Sequence, residues 1–309
     1  MVMHAASVDK APVRTVGAPP GAFHGHASSG NIAVGGDARC TPHCDRPRRE
    51  SGEPKMPDNA DLETEAQDGP SPEAQKAIAQ RFVDRARRYG ERGNHRAAIE
   101  AYRNALQLTP TSVELFFELG NAYSSVGEHP NATVMYEAAV EQLSEWPEAH
   151  YNLGNSLLQT EQIERAAETY EKAIELREDF AEAHDNLGCA YNKLGRYADA
   201  MACHERALEL RPDSAPTYDN LGYAHYKLDD LDKAEAAHRR SMELDDSDGN
   251  AHYNLGLVHV KRGDVGGALE CFRNAFAKNE DLREFAAQDD DAAALRGNAE
   301  FDALVAAGQ

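Results

Sequence analysis

LFFELG at residues 115–120, AHYNLG at 149–154, AHDNLG at 183–188, TYDNLG at 217–222 and AHYNLG at 251–256 are five forms of one phrase. Their closing glycines, Gly120, Gly154, Gly188, Gly222 and Gly256, stand 34 residues apart each time. A fixed period of this length marks a stack of like supersecondary units, each too small to bury its own apolar face and therefore packed on its neighbours. Such a stack predicts an extended binding surface rather than an enclosed active site.

Other positions keep the same register. With the phrase glycine at position 8, six units begin near residues 79, 113, 147, 181, 215 and 249 and the last ends at 282. Position 20 is alanine throughout (Ala98, Ala132, Ala166, Ala200, Ala234, Ala268), position 27 is small (Ala105, Ala139, Ala173, Ala207, Ser241, Ala275), and position 24 carries a ring: Tyr102, Tyr136, Tyr170, His204, His238, Phe272. Small residues seven apart with a ring between them give a helix one flat stripe, which lets another helix approach while the ring fills the adjoining hole. On this pattern the second helix of each unit is expected to be the inner, more tightly packed one. In the first helix the phrase leucine precedes a glycine that costs about 1 kcal/mol of helix propensity relative to alanine, a cost that close packing must offset. Gly93, Gly127, Gly195 and Gly263 at position 15 match a left-handed helix terminus, while Glu161 and Asp229 depart from it.

These residues resemble the tetratricopeptide repeat family: Leu-Gly in the first helix, an aromatic at position 11 (Tyr89, Tyr123, Tyr191), and Ala, aromatic and Ala at 20, 24 and 27. The resemblance covers residues 79–282 and is weakest in the first unit, where Arg85-Ala86 replaces Leu-Gly. It implies an all-α, right-handed solenoid of about six helix-turn-helix repeats whose first helices line a concave groove.

Three segments follow. Residues 1–70 are read as a disordered extension and acidic linker, because the first 55 are rich in Gly, Ala, Pro, His and Arg without 3.6 or 2.0 periodicity. The change of character at Met56 points to that residue as the true start. Residues 71–282 form the array, opened by Ser71-Pro72-Glu73, a helix-start signature. Residues 283–309 are read as a helical lid: a short helix from Asp289-Asp290-Asp291 to Leu295-Arg296, a stop at Gly297, and a last helix capped by Asn298 with Phe301, Leu304 and Val305 on one face.

Charge narrows the partners. The chain has 53 acidic against 32 basic side chains, a formal net charge of −21, which repels phosphate backbones and disfavours nucleic acid. Salt adaptation gives the same composition. No run is long and apolar enough to cross a membrane, the N-terminus has no apolar signal core, and five cysteines without framework spacing fit a reducing, cytoplasmic setting. Motifs for phosphate binding, dinucleotide binding, metalloprotease chemistry and a nucleophile elbow are missing, so no enzyme and no cofactor are expected. Cys40, His43 and Cys44 make only a weak metal cluster, the sole basis for a third, metal-enzyme reading. In-register histidines lie roughly 8–10 Å apart on packed helices and cannot converge on one ion, so no metal site is expected.

The candidate site is the groove. Position 6 reads Asn152, Asn186, Asn220 and Asn254, and position 9 adds Asn121 and Asn155. An amide offers donor and acceptor together, so such a row can pair with the backbone of an extended peptide of any sequence. It is similar to the asparagine ladder in the repeats of protein O-linked N-acetylglucosamine transferase. Tyr151, Tyr223, Tyr226 and Tyr253 add contact area, Asp185 and Asp219 orient the guest, and Lys193, Lys227 and Lys261 at position 13 line one edge where acidic side chains can be held. Chaperone adaptors of this family use Lys or Arg at positions 2, 5 and 6; position 2 here is Glu114, Glu148, Glu182, Pro216 and Asn250, so a neutral or basic guest is expected over acidic C-terminal tails. The expected function is a non-catalytic protein-interaction scaffold. The alternative is an accessory subunit of an enzyme or secretion complex that uses its convex face, and an uncovered repeat face leaves self-association open.

Overall fold

The computed structural model of the protein describes residues 70–307. The expectations for residues 1–69, including the start at Met56 and the Cys40/His43/Cys44 cluster, lie outside the described residues. Among those described there are helices and turns and no strand. Twelve helices form six hairpins: α1 (Pro72–Glu91) with α2 (His95–Leu108), α3 (Val113–Ser124) with α4 (His129–Gln142), α5 (Pro147–Gln159) with α6 (Ile163–Leu176), α7 (Ala181–Lys193) with α8 (Tyr197–Leu210), α9 (Ala215–Lys227) with α10 (Leu231–Leu244), and α11 (Gly249–Arg262) with α12 (Val265–Lys278). Each second helix packs on the first helix of the next unit, and α3, α5, α7, α9 and α11 follow one another along one face of an α-solenoid.

Every hairpin closes with the same bond. The amide of position 16 donates to the carbonyl of position 11, as in Asn94 to Tyr89, Gln162 to Leu157, Arg196 to Tyr191 and Asp264 to His259, each 2.9 Å. This is the six-to-one bond of a left-handed helix terminus, and position 15 takes positive φ each time: 72° at Gly93, 77° at Gly127, 72° at Gly195 and 75° at Gly263. Glu161 (58°) and Asp229 (65°) adopt the same conformation, so the departure lies in the residue and not in the turn. A side chain there costs of order 1 kcal/mol. Glu161→Gly is therefore expected to raise the thermal midpoint by about 2–4 °C, read by circular dichroism, since no partner of the Glu161 side chain is found among the described residues.

The phrase glycine explains the hairpin packing. A Cβ on Gly120 would stand 2.7 Å from the Tyr136 ring, on Gly154 2.5 Å from Tyr170, on Gly188 2.5 Å from His204, on Gly222 2.6 Å from His238 and on Gly256 3.0 Å from Phe272. The rings at position 24 fill the notch that the glycines leave, and all five are buried.

The expectation that second helices are the inner ones is corrected. From α5 onward each first helix carries six to eight buried residues and each second helix three to five. A first helix is covered by its own partner, by the preceding second helix and by its neighbouring first helices, whereas the flat stripe of a second helix serves mainly its own hairpin.

Beyond the last hairpin lie α13 (Leu282–Gln288), a 3-10 helix (Asp290–Leu295) and α14 (Ala299–Ala306). Gly297 stops the 3-10 helix at φ 86°, and Asn298 Oδ1 accepts from the amides of Glu300 (3.0 Å) and Phe301 (3.2 Å). Leu282, Ala286, Ala292, Leu295 and Phe301 are buried in one cluster with Phe272, Phe276 and Tyr253, covering the apolar end of the array. No helix among the described residues is long and apolar enough to cross a membrane.

Candidate functional site

The groove residues stand on five successive first helices, so their mutual placement follows from the repeat. The asparagine row is already bonded inside the array. Asn152 Nδ2 donates to Asn121 Oδ1 (3.0 Å), which also accepts from Tyr136 Oη (2.7 Å). Asn186 Nδ2 repeats this one unit on, donating to Asn155 Oδ1 (2.7 Å), which accepts from Tyr170 Oη (2.7 Å), and to Tyr151 Oη (3.2 Å). Asn220 Nδ2 reaches Cys189 Sγ (3.2 Å), and Asn254 Nδ2 reaches both Asp219 oxygens (3.3 and 3.1 Å). Each position 6 amide therefore donates at least one hydrogen bond to the previous unit. The Oδ1 atoms of Asn152, Asn186, Asn220 and Asn254 accept no hydrogen bond among the described residues, and all four side chains are half-buried. As donors, Asn186 and Asn254 each make two bonds and Asn152 and Asn220 one, so the row keeps an acceptor in every unit and fewer open donors than the sequence suggested.

Two His-Asp pairs with fully buried imidazoles occupy the middle of the array. His204 Nδ1 bonds Asp185 Oδ1 at 2.7 Å, and His238 Nδ1 bonds Asp219 Oδ1 at 2.7 Å. Units two and three pair a position 24 tyrosine with a position 9 asparagine; units four and five replace that pair with position 24 histidine and position 5 aspartate. The same hole is filled by a different donor and acceptor. Asp185 and Asp219 thus serve the hairpin interior, and Asp219 is buried.

Asp185, Cys189 and His204 bring one carboxylate, one thiol and one imidazole within 4.8 Å of one another. The expectation that in-register histidines cannot converge left out this convergence across helices, because position 9 of the first helix and position 24 of the second never look like neighbours in a linear pattern. A metal needs the thiolate. Burial, and after it the Asp185 charge, hold the Cys189 thiol well above its ordinary value, while Asn192 Nδ2 occupies His204 Nε2 (3.2 Å) and the Asn220 amide occupies the sulfur. In this structure each of the three groups has a protein partner, while the buried Asn192 Oδ1 beside them has none among the described residues. Asn192 itself, buried at position 12, was missed by the sequence reading; it also reaches the Asn220 carbonyl (3.4 Å).

The tyrosines divide. Tyr151 lies against Phe180 (centroids 4.9 Å apart) and Tyr170 (6.0 Å) and is half-buried; Tyr223 is half-buried with its ring edge-on to Tyr197 (6.3 Å). Tyr226 and Tyr253 are buried beneath the C-terminal segment. Tyr253 Oη donates to Asp289 Oδ2 at 2.6 Å, and burial followed by that carboxylate holds its hydroxyl far above the ordinary range. Of the lysines, Lys193 is exposed, Lys227 Nζ binds Asp291 Oδ2 at 2.5 Å, and Lys261 binds Asp229 (2.8 Å) and the Tyr226 carbonyl (3.2 Å).

The position 4 histidines have a local task. His150 Nε2 donates to the Ser144 carbonyl (2.9 Å), His184 Nε2 to that of Glu178 (3.0 Å), and His252 Nε2 meets Asp246 Oδ1 (2.7 Å), each six residues back. They latch the turn between units.

Family models described as "TPR repeat" match residues 86–127 and 154–195, and those described as "Tetratricopeptide repeat" match 179–247 and 220–281. No curated protein sequence matches the chain. Among solved structures, pilF of Pseudomonas aeruginosa superposes with a TM-score of 0.57 at 16% identity, over 72% of this chain and 99% of that one. YrrB, described as a TPR protein with an unusual peptide-binding site, gives 0.51 at 24%, over 65% and 98%. MamA from Desulfovibrio magneticus RS-1 gives 0.51 at 22%, over 55% and 96%. The structural likenesses carry the fold, the family models cover more than half of the chain, and the glycine-ring notch recurs in five hairpins, so the protein belongs to the tetratricopeptide repeat family.

Proposed function

We propose that the protein is a non-catalytic scaffold that captures an extended segment of another protein along the face made by α3, α5, α7, α9 and α11. The observation that carries this reading is the row of Oδ1 atoms on Asn152, Asn186, Asn220 and Asn254, which repeats once per unit and accepts nothing among the described residues, while each amide nitrogen is anchored to the preceding unit. Such a row suits the backbone N–H groups of an extended guest, whatever its side chains. Half-buried Tyr151 and Tyr223 supply contact area at low entropic cost. YrrB carries a peptide-binding site in its description, a use that the shared fold makes available here as well.

Affinity capture with the wild-type chain and with Asn186→Ala/Asn220→Ala tests the reading. Partner recovery is expected to fall about tenfold or more, while stability falls only by the loss of three amide hydrogen bonds, about 1 kcal/mol each. Full recovery by the variant would contradict the role of this face and favour a complex built on the second helices.

A further inference from the structure

The 3-10 helix does more than close the apolar end of the array. Lys227 and Tyr226 stand at positions 13 and 12 of α9 and Tyr253 at position 5 of α11, all on the first-helix face. The turn at residues 289–295 lies on these residues and meets them with matched chemistry. Asp289 accepts from Tyr253 Oη at 2.6 Å, and Asp291 receives Lys227 Nζ at 2.5 Å, across 36 and 64 residues of chain. Lys227 itself is held between two rings, 5.3 Å from the Tyr223 centroid and 5.4 Å from that of Tyr226. Behind the carboxylates, Ala292 and Leu295 are buried in the cluster that contains Tyr226 and Tyr253. Asp290, between the two bonded carboxylates, points to solvent with its side chain 99% exposed. The turn therefore presents carboxylates at its first and third residues and apolar side chains at its fourth and seventh, seated as a bound peptide would be.

We propose that the α9/α11 end of the face is a receptor for a protein segment of this pattern, an Asp-x-Asp turn followed by an apolar side chain, and that residues 289–295 occupy it in cis. This rests on the reading of the first-helix face as a binding surface and names its guest at one end. It departs from the expectation of a neutral or basic guest, which followed from the lack of basic residues at position 2. Here the cation comes from position 13, and the tyrosine hydroxyls supply the remaining donors. Burial, and after it the Asp291 charge, hold the Tyr226 hydroxyl well above its ordinary range, which keeps it a donor. A partner segment binds by displacing the cis turn, whose effective concentration of the order of millimolar sets the threshold for entry.

The test uses the full chain and a fluorescein-labelled synthetic peptide with the sequence of residues 287–298, read by anisotropy. Asp289→Asn/Asp291→Asn loosens the cis turn while keeping the oxygen of residue 289 that caps it through the Asp291 amide (3.0 Å). This variant is expected to bind the peptide about tenfold more tightly than wild type, Lys227→Met is expected to cancel the gain, and a peptide with both aspartates changed to asparagine should not bind. Equal affinity of wild type and variant, or a gain that survives Lys227→Met, would overturn the proposal. Should the variant lose its helical signal, the wild-type chain decides: saturating peptide should speed amide exchange in residues 291–296, and unchanged exchange there overturns the proposal. If peptide binding shows no gain while partner capture still depends on Asn186 and Asn220, this inference fails and the wider reading of the face stands.

Discussion

Tyr170→Ala is expected to lower stability by about 4 kcal/mol, measured by denaturant unfolding followed by circular dichroism. The ring is fully buried, lies in the notch above Gly154 and gives its hydroxyl to Asn155, so its removal leaves a cavity and takes one bond from an amide oxygen. The glycine sharpens the prediction. Gly154→Ala alone should cost about 2 kcal/mol, even though alanine is the better helix former by about 1 kcal/mol, because its Cβ would stand 2.5–2.8 Å from three atoms of a ring with no room to retreat. In the Tyr170→Ala background the same substitution should be neutral or stabilising, since the methyl then partly fills the hole. The resulting coupling of about 2–3 kcal/mol measures the contact shared by the five hairpins that carry the notch. Simple additivity would mean that the ring and the notch are not the source of hairpin packing.

Asp219→Ala should be nearly as damaging, about 3 kcal/mol. Its carboxylate is buried, accepts from His238 Nδ1 and receives both bonds of the Asn254 amide, and no other acceptor is shown for the His238 ring, whose Nε2 is also buried without a partner among the described residues. Asp219→Asn keeps Oδ1, which serves His238 and the longer Asn254 contact, and loses the shorter bond at Oδ2, so it should fall between wild type and alanine. Asp185→Ala should cost less than Asp219→Ala: its side chain is 21% exposed against 12%, and it serves His204 alone. If Asp219→Ala leaves stability unchanged and weakens partner binding instead, the aspartate orients the guest, as the sequence pattern suggested, and does not serve the hairpin.

What the sequence made legible is what repeats within one unit. The notch between Gly154 and Tyr170 joins positions 8 and 24 of the same unit, so register alone reveals it, and the lid is visible because Gly297 and Asn298 are local stop and start signals. Contacts that pass between units were not legible. The amide of Asn186 looked free for a guest because its partner, Asn155, stands one unit back at a different position. The His204-Asp185 and His238-Asp219 pairs lie within single units yet were equally hidden, because they occur in only two units and a histidine at position 24 was read as one more ring. The return of Asp289 and Asp291 to Tyr253 and Lys227 depends on where α13 turns the chain, and α13 itself lacked the repeat signal by which the other helices were read. Which helix is more buried also follows from stacking, since a stripe in sequence shows how flat a helix is and not how many neighbours cover it.

The central claim is that the first-helix face receives a protein segment, and hydrogen exchange on the complex with a captured partner tests it most directly. The account predicts added protection in residues 147–159, 181–193 and 215–227, the spans of α5, α7 and α9, with α6, α8 and α10 unchanged. Protection confined to α6, α8 and α10 would contradict it and assign the binding to the opposite face.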